Sequence, residues 1–294
     1  MTKNIKTYNI IGGEWIYYKI YLGTKSADEV LTEYIKPFTE KLILNNIISE
    51  WFFIRYNDPK FHIRVRFKCT DISMIGAVIV GMHEILEPLA EDAIVWKVQL
   101  DTYNREVERY GYNTMEISEK IFFQDSIMIT NYLTYFKDEN LRWLFGLKAM
   151  DSFLDLFNYN LSEKKSFMEN LSNGFKNEFG KSKTFNNSLS DKFRFHRQEI
   201  SDIFEEKNPD NIYSLIEKKS DSITDLAKEI IDLYQSDSLT VDINSFLASH
   251  IHMLMNRLFK SKNRAHEMVC YDFLFRYYKS RIAIENQARI PANS

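Results

Sequence analysis

The spacing of apolar positions changes character along the chain. In the first hundred residues, short apolar runs alternate with helix-spaced ones; beyond residue 112 helical spacing dominates. Trp15–Leu22 (WIYYKIYL), Trp51–Tyr56 (WFFIRY), Phe61–Cys69 (FHIRVRFKC) and Ile94–Leu100 (IVWKVQL) are rich in β-branched and aromatic residues, and each predicts a strand. Ser26-Ala27-Asp28-Glu29 has the form of a capping box. It starts a helix running to about Leu44, with a bend at Pro37. Asn57-Asp58-Pro59-Lys60 predicts a turn and Ser73–Leu89 a second helix. The order is β-α-β-β-α-β, which right-handed crossovers turn into a four-stranded antiparallel sheet with two helices on one face, a ferredoxin-like arrangement. The fold class is therefore α+β: a ferredoxin-like part over 1–112, then a helical part over 113–294. Helix-spaced apolar residues mark Glu116–Phe136, Asn140–Tyr159, Ser162–Phe179, Lys192–Glu206, Asn211–Gln235, Ile243–Lys260 and Asn263–Ile284. Lys181–Leu189 (KSKTFNNSL) predicts a mobile loop, and the C-terminal ARIPANS a frayed tail.

Composition narrows the function classes. With 9 Gly and 5 Pro in 294 residues, long disordered or Pro-rich segments are excluded, and 22 Phe with 17 Tyr supply a large aromatic core. Net charge is −3; the first 112 residues carry 14 basic and 15 acidic side chains, the rest 24 and 26. Neither part has the basic balance of a nucleic-acid binder. Cys69 and Cys270 belong to no CxxC or Cys/His cluster and read as cytosolic thiols, not a zinc site. The N-terminus lacks a signal-peptide apolar region. The most apolar stretch, Ile72–Ala90, holds His83, Glu84, Glu87 and Pro88 and predicts a buried helix rather than a membrane span. A soluble, cytoplasmic protein is expected.

Three segments carry candidate chemistry. On the third strand His62, Arg64 and Arg66 share one face, while Ile63, Val65 and Phe67 take the other. The apolar set suits the helix-covered face of the sheet and the cationic set the open one. Two guanidiniums there can grip a carboxylate or phosphate with paired bonds; the competing reading is a solvated face with cross-strand ion pairs. Glu106 and Arg109 are three apart, helical neighbours just beyond the fourth strand and Tyr103. Such pairs are usually surface decoration, but one common strand order sets the fourth strand beside the third. On Ile243–Lys260, Leu247, Ile251, Met255 and Leu258 form the apolar face. His252 lies at its margin, in a stripe with Ser245, Ser249 and Asn256, and His250 points nearly the opposite way. The two histidines do not chelate one metal from a regular helix. His252 is either a satisfied structural histidine or a positioned acid or base. No GxGxxG, P-loop, GxSxG or HExxH motif is present.

Together these segments resemble a known family. Glu14-Trp15, Trp51-Phe52-Phe53-Ile54-Arg55-Tyr56 with Asp58-Pro59, His62-Ile63-Arg64-Val65-Arg66-Phe67, Gln99-Leu100-Asp101-Thr102-Tyr103, Glu106 to Gly111, Asp125-Ser126 and His252-Met253 with Asn256-Arg257-Leu258 follow in order. The set is similar to the C-terminal, glutamate-elimination domain of class I lantibiotic dehydratases, in the stand-alone form of thiopeptide biosynthesis. The resemblance implies a split system. A separate, tRNA-dependent glutamylating subunit esterifies Ser or Thr of a ribosomal precursor peptide, and this chain, acting as one catalytic unit, expels glutamate to leave dehydroalanine or dehydrobutyrine. By motif position the family's catalytic residues fall on Arg64, Arg66, Glu106, Arg109 and His252. Arg55, His62, Tyr103, Ser249 and Asn256 are candidate substrate-binding neighbours. Neither metal nor cofactor is implied, nor direct contact with nucleic acid or membrane; full-length relatives suggest a homodimer. One departure is Tyr112, where a second glycine is expected after Gly111.

The chemistry fits the residue types. β-Elimination needs a base for the Cα proton and stabilisation of carboxylate leaving-group charge, and the free carboxylate of the glutamyl group is a handle for an arginine fork. Nearby arginines hold a histidine base neutral. Two other readings stand beside this one. One is a thiopeptide pyridine synthase, joining two dehydroalanines by formal [4+2] cycloaddition and expected to lose the arginines and histidine. The other is a non-catalytic partner that presents the peptide.

Overall fold

The computed structural model describes residues 5–179, 183–207 and 210–288, within which the chain forms two compact units. The first comprises residues 1–137 and 229–261, the second 138–228 and 262–294.

The first unit is built on the predicted sheet. A short strand β1 (Tyr8–Asn9) precedes β2 (Trp15–Leu22), β3 (Ile48–Asn57), β4 (Phe61–Cys69) and β5 (Val95–Asp101), and β6 (Tyr103–Asn104) pairs back with β1. The four long strands are antiparallel in the order β3-β4-β2-β5, the ferredoxin-like order. β5 therefore lies beside β2, not beside β4 as the sequence-based argument for Glu106 and Arg109 assumes. Register fixes the faces: Trp51, Phe53 and Arg55 stand opposite Phe67, Val65 and Ile63, while Phe52, Ile54 and Tyr56 stand opposite Arg66, Arg64 and His62. Ile63, Val65 and Phe67 are completely buried, and Phe67 meets Phe38 edge-on at 6.2 Å. Each such side chain contributes about 1.5–3 kcal/mol by leaving water.

Local chemistry alters two predicted helices. The capping box does not form: Ser26 is already helical (φ −81°, ψ −10°) and its side chain caps nothing. Asp28 is instead drawn to Arg55 at 2.6 Å and Lys260 at 3.3 Å. After α1 (Ala27–Glu29) the chain runs through a π-helical stretch, Val30–Ile35, into α2 (Lys36–Leu44). Pro37 sits in the first turn of α2, where a missing N–H costs least, so the expected bend is a change of helix type. α3 (Ile75–Glu91) follows a 3-10 turn capped by Asp71. Residues 72–91 are long and apolar enough to cross a membrane by length and composition. Only one row, Val78, Met82, Leu86 and Leu89, is buried; Ile72 and Val80 are exposed. The expected buried helix is thus a surface helix buried along one stripe.

The other face of the sheet is not open. α4 (Val107–Tyr110), α5 (Met115–Tyr135) and α11 (Ile243–Leu258) belong to the same unit. Edge strand β3 is closed by side chains from two of them. Ser126 Oγ accepts from the Phe53 N–H at 3.2 Å, and the Asn256 amide brackets Arg55, accepting from its N–H at 2.9 Å and donating to its carbonyl at 2.8 Å. A strand edge so paired offers no template for another chain. Arg105 joins Glu119 of α5 through two bonds of 2.8 Å, and the Tyr103 hydroxyl donates to the same carboxylate at 2.8 Å. Both charged side chains are buried. Glu119→Ala leaves a buried guanidinium without its anion, and a loss of about 3–5 kcal/mol in urea unfolding is expected. A loss below about 1 kcal/mol contradicts this account of the pair.

The second unit is helical: α6 (Glu139–Leu156), α7 (Leu161–Phe179), α8 (Lys183–Phe195), α9 (Arg197–Phe204), most of α10 (Asp210–Gln235) and α12 (Asn263–Ala288). Two of its buried carboxylates are paired: Asp151 accepts from Lys164 and the Tyr278 hydroxyl, and Asp272 from Lys176 and Arg276. The predicted loop at Lys181–Leu189 is helical from Lys183 on; residues 180–182 lie outside the described residues. Leu189 is buried and Phe193 packs on Phe273 at 5.8 Å, so helix-spaced anchors outweigh the polar composition. The helix expected over Lys192–Glu206 breaks at His196. The tail after Ala288 lies outside the described residues.

Candidate functional site

A half-open pocket, with about 350 Å³ of space between its atoms when the open solvent is counted, lies where the cationic face of the sheet meets α4, α5 and α11. All of its walls belong to the first unit. Phe52, Ile54 and Arg66 come from the sheet, Tyr103 and Glu106 from the segment after β5, and Phe122, Met253 and Arg257 from the helices.

Arg66 is the sheet's contribution of charge. Its guanidinium carbon lies 4.4 Å from the Tyr17 ring centre, 4.8 Å from Tyr103 and 5.1 Å from Phe52. Those rings offer their negative faces to the cation. Its side chain is 7% exposed, yet Nε and Nη1 have no hydrogen-bond partner among the described residues. Burial pushes its ionisation below the usual guanidinium range. An anion entering the pocket would supply what these nitrogens lack.

Arg64 lies two residues along the same face, outside the pocket wall. Its guanidinium stacks 3.4 Å above the Tyr56 ring and Nε donates to His62 Nε2 at 3.0 Å. No hydrogen bond holds its terminal nitrogens among the described residues. His62 is buried; its Nδ1 meets the Lys60 carbonyl at 2.9 Å and its ring stacks on Tyr21 at 4.6 Å. With Nδ1–H donating and Nε2 accepting, the ring is the neutral tautomer. His62 thus orients Arg64 rather than facing the pocket. Burial lowers the His62 pKa below 6.5, outweighing the opposing bond to Lys60. Folding therefore favours neutral His62, a contribution present above about pH 6.5 and lost as pH falls below it. Burial gives His266 the same sign. Unfolding free energy is expected to fall between about pH 7 and 5.5, with a shallower slope in His62→Asn; an unchanged slope contradicts this.

Glu106 and Arg109 meet at 3.3 Å across the turn of α4, with side chains 60% and 47% exposed. So exposed a pair adds little stability, but Glu106 lines the pocket and fixes Arg109 beside it. Gly111 ends this turn at φ +81°, and a Cβ there would lie 2.5 Å from Thr114 Oγ1, so a side chain is excluded. Tyr112 needs no such freedom; its N–H donates to Thr240 Oγ1 and its side chain points to solvent.

α11 supplies the opposite wall. Met253 and Arg257, one turn apart, line the pocket. His252 is half-buried on the neighbouring stripe, one turn from Ser249 and Asn256. Asn256 is occupied with the edge of β3, and Ser249 donates to the Ser245 carbonyl at 2.9 Å. His250, which the helical wheel turns away from the apolar face, is buried: Nε2 meets Ser118 Oγ at 3.2 Å, with the rings of Tyr110, Phe122 and Phe246 around it. α11 is covered on more than one side, so no single apolar face describes it.

The structure thus brings Arg66, Glu106 and Tyr103 to one pocket and sets Arg64 and Arg109 beside it. His252, Ser249 and Asn256 stand on the stripe of α11 next to Met253 and do not line the pocket, and Arg55 is not brought there. It lies on the other face of the sheet, 2% exposed, joined to Asp28 and through Nε to the Arg257 carbonyl at 2.9 Å. Arg257 is the wall residue that the wheel argument misses: it is completely buried, and its guanidinium lies 3.7 Å from Asp125 and 5.0 Å from the centre of the Phe122 ring.

A family model for the C-terminal part of lantibiotic biosynthesis dehydratases matches residues 15–278, nearly the whole chain. The chain belongs to that family. It is 40% identical over 131 residues to the nisin biosynthesis protein NisB of Lactococcus lactis subsp. lactis, a match covering 44% of this chain and 13% of NisB. Its fold matches the tRNA-dependent lantibiotic dehydratase MibB of Microbispora sp. 107891 with a TM-score of 0.71 and 17% identity, over 93% of this chain and 29% of MibB. It also matches TbtD, the pyridine synthase from thiomuracin biosynthesis, with a TM-score of 0.61 and 10% identity, over 91% of this chain and all of TbtD. This member of the dehydratase family therefore spans less than a third of the length of NisB or MibB.

Proposed function

We propose that this chain eliminates glutamate from glutamylated Ser or Thr side chains of a ribosomal precursor peptide, leaving dehydroalanine or dehydrobutyrine. The observation that carries the reading is Arg66: a buried guanidinium with two nitrogens unpartnered, facing a pocket that Glu106 also lines.

In this scheme His252 accepts the Cα proton of the modified residue. The electrons of that C–H bond form the Cα=Cβ double bond, the Cβ–O bond breaks, and its electron pair leaves on the carboxylate of glutamate. Arg64, and Arg109 set by Glu106, neutralise charge as it develops on the ester and on Cα. Arg66 holds the glutamyl group in a site walled by Phe52 and Phe122, where low dielectric strengthens each charged hydrogen bond. Tyr103, fixed by Glu119, shapes the wall. The ester would come from a separate, tRNA-dependent glutamylating partner, and such a supply belongs in the cytoplasm.

The test is incubation with a synthetic peptide carrying glutamyl-Ser, followed by mass spectrometry. Free glutamate and dehydroalanine in equal amounts are expected. An unchanged ester, with a bis-dehydroalanine peptide losing its leader instead, would establish the pyridine-synthase reading. Binding without any change in either peptide would make the chain a presenting partner.

A further inference from the structure

We propose that Arg257 is a substrate-binding residue, forming with Arg66 a buried two-guanidinium subsite for a carboxylate of the glutamyl group. The proposal deepens the elimination reading and rests on it for the identity of the ligand.

Arg257 is 0% exposed, and Nε, Nη1 and Nη2 make no hydrogen bond among the described residues. Buried arginines otherwise spend their five donors on carbonyls and carboxylates. Its counter-charge among the described residues, Asp125, stands 3.7 Å from Nη1, close enough for Coulomb attraction but beyond hydrogen-bond reach. Arg66, on the opposite wall, also has Nε and Nη1 unpartnered. Two guanidiniums thus converge on one pocket, and each is costly to bury in this state.

The charge count selects the ligand. Arg66 and Arg257 against Asp125 leave one positive charge in the interior, since Glu106 is paired with Arg109. A single carboxylate balances that charge and offers four lone-pair positions to the unpartnered nitrogens. The remaining lining of Phe52, Met115, Phe122 and Met253 suits the methylene chain of glutamate. A purely structural role for Arg257 leaves unexplained why all three nitrogens stay unbonded at the pocket wall while its carbonyl and Asp125 do the fastening.

The experiment is calorimetric titration of L-glutamate, L-glutamine and 4-aminobutyrate into the full chain, wild type and variants. Saturable glutamate binding to the wild type is expected, at least about tenfold weaker in Arg257→Gln and intermediate in Arg257→Lys, which keeps the charge but not the fork. The double variant Arg257→Met, Asp125→Asn removes both charges together. It keeps a folded, non-binding form available should the single variant fail to fold. Glutamine binding as tightly as glutamate assigns the subsite to the α-carboxylate; 4-aminobutyrate binding assigns it to the side-chain carboxylate. A folded Arg257 variant that binds glutamate like the wild type, or a wild type that binds none, overturns the proposal. Glutamate binding through Arg257 with the glutamylated peptide left intact would sink the elimination reading and leave the subsite standing.

Discussion

Arg66→Gln is expected to slow glutamate elimination by about three orders of magnitude while leaving the protein folded. In the proposed scheme Arg66 holds the glutamyl group beside the donors that meet the developing charge; losing that grip raises KM, and misplacing the ester among those donors lowers kcat, by about 10² to 10³ together. The stability side of the prediction sets a functional role apart from a structural one. A buried guanidinium whose Nε and Nη1 have no hydrogen-bond partner among the described residues does little for the fold. Glutamine fills similar space and removes the desolvation cost, at the loss of the ring contacts to Tyr17, Phe52 and Tyr103. The melting temperature should therefore stay within a few degrees of the wild type. A variant that melts far lower, or that eliminates at the wild-type rate, contradicts the assignment.

His252→Ala is the second large effect, with a different signature. A positioned base contributes about 10² to 10⁴; its loss lowers kcat and leaves KM nearly unchanged, because in the proposed scheme the arginines and not the imidazole hold the glutamyl group. In a coupled assay with a glutamylating partner, the glutamylated peptide accumulates. The half-buried position of His252 on α11 makes the substitution mild for folding. A variant with ordinary turnover would return His252 to the structural role that its sequence context also allows.

How much of the fold and the pocket is legible in the sequence follows from the range of each interaction. The sheet is legible because a period of two on β4 and short connections determine strands and faces locally. The common face of His62, Arg64 and Arg66 follows from parity alone. Parity also excludes Arg55 from that face: the hairpin around Asp58-Pro59 sets Tyr56 opposite His62 and so Arg55 opposite Ile63. The hairpin register by itself therefore assigns Arg55 to the helix side, a constraint that grouping it with the other arginines overlooks. The burial of Arg66 is not legible, since it depends on α5 and α11 roofing the sheet, contacts made across 73 and 201 residues of chain. Arg257 is hidden for the same reason. A helical wheel ranks residues by one apolar face, and α11 is covered on several. The signal that points to it is its neighbour: Asn256 ties α11 to β3, which turns the next residue into the pocket.

The most direct test of elimination follows the Cα hydrogen of a glutamyl-Ser peptide deuterated at Cα of the serine. The scheme predicts that each dehydroalanine formed has lost its deuterium, that glutamate appears in step with it, and that the rate falls relative to the unlabelled peptide where proton removal limits it. Release of glutamate with serine regenerated and its deuterium retained would mean ester hydrolysis, and the account of this pocket would be wrong.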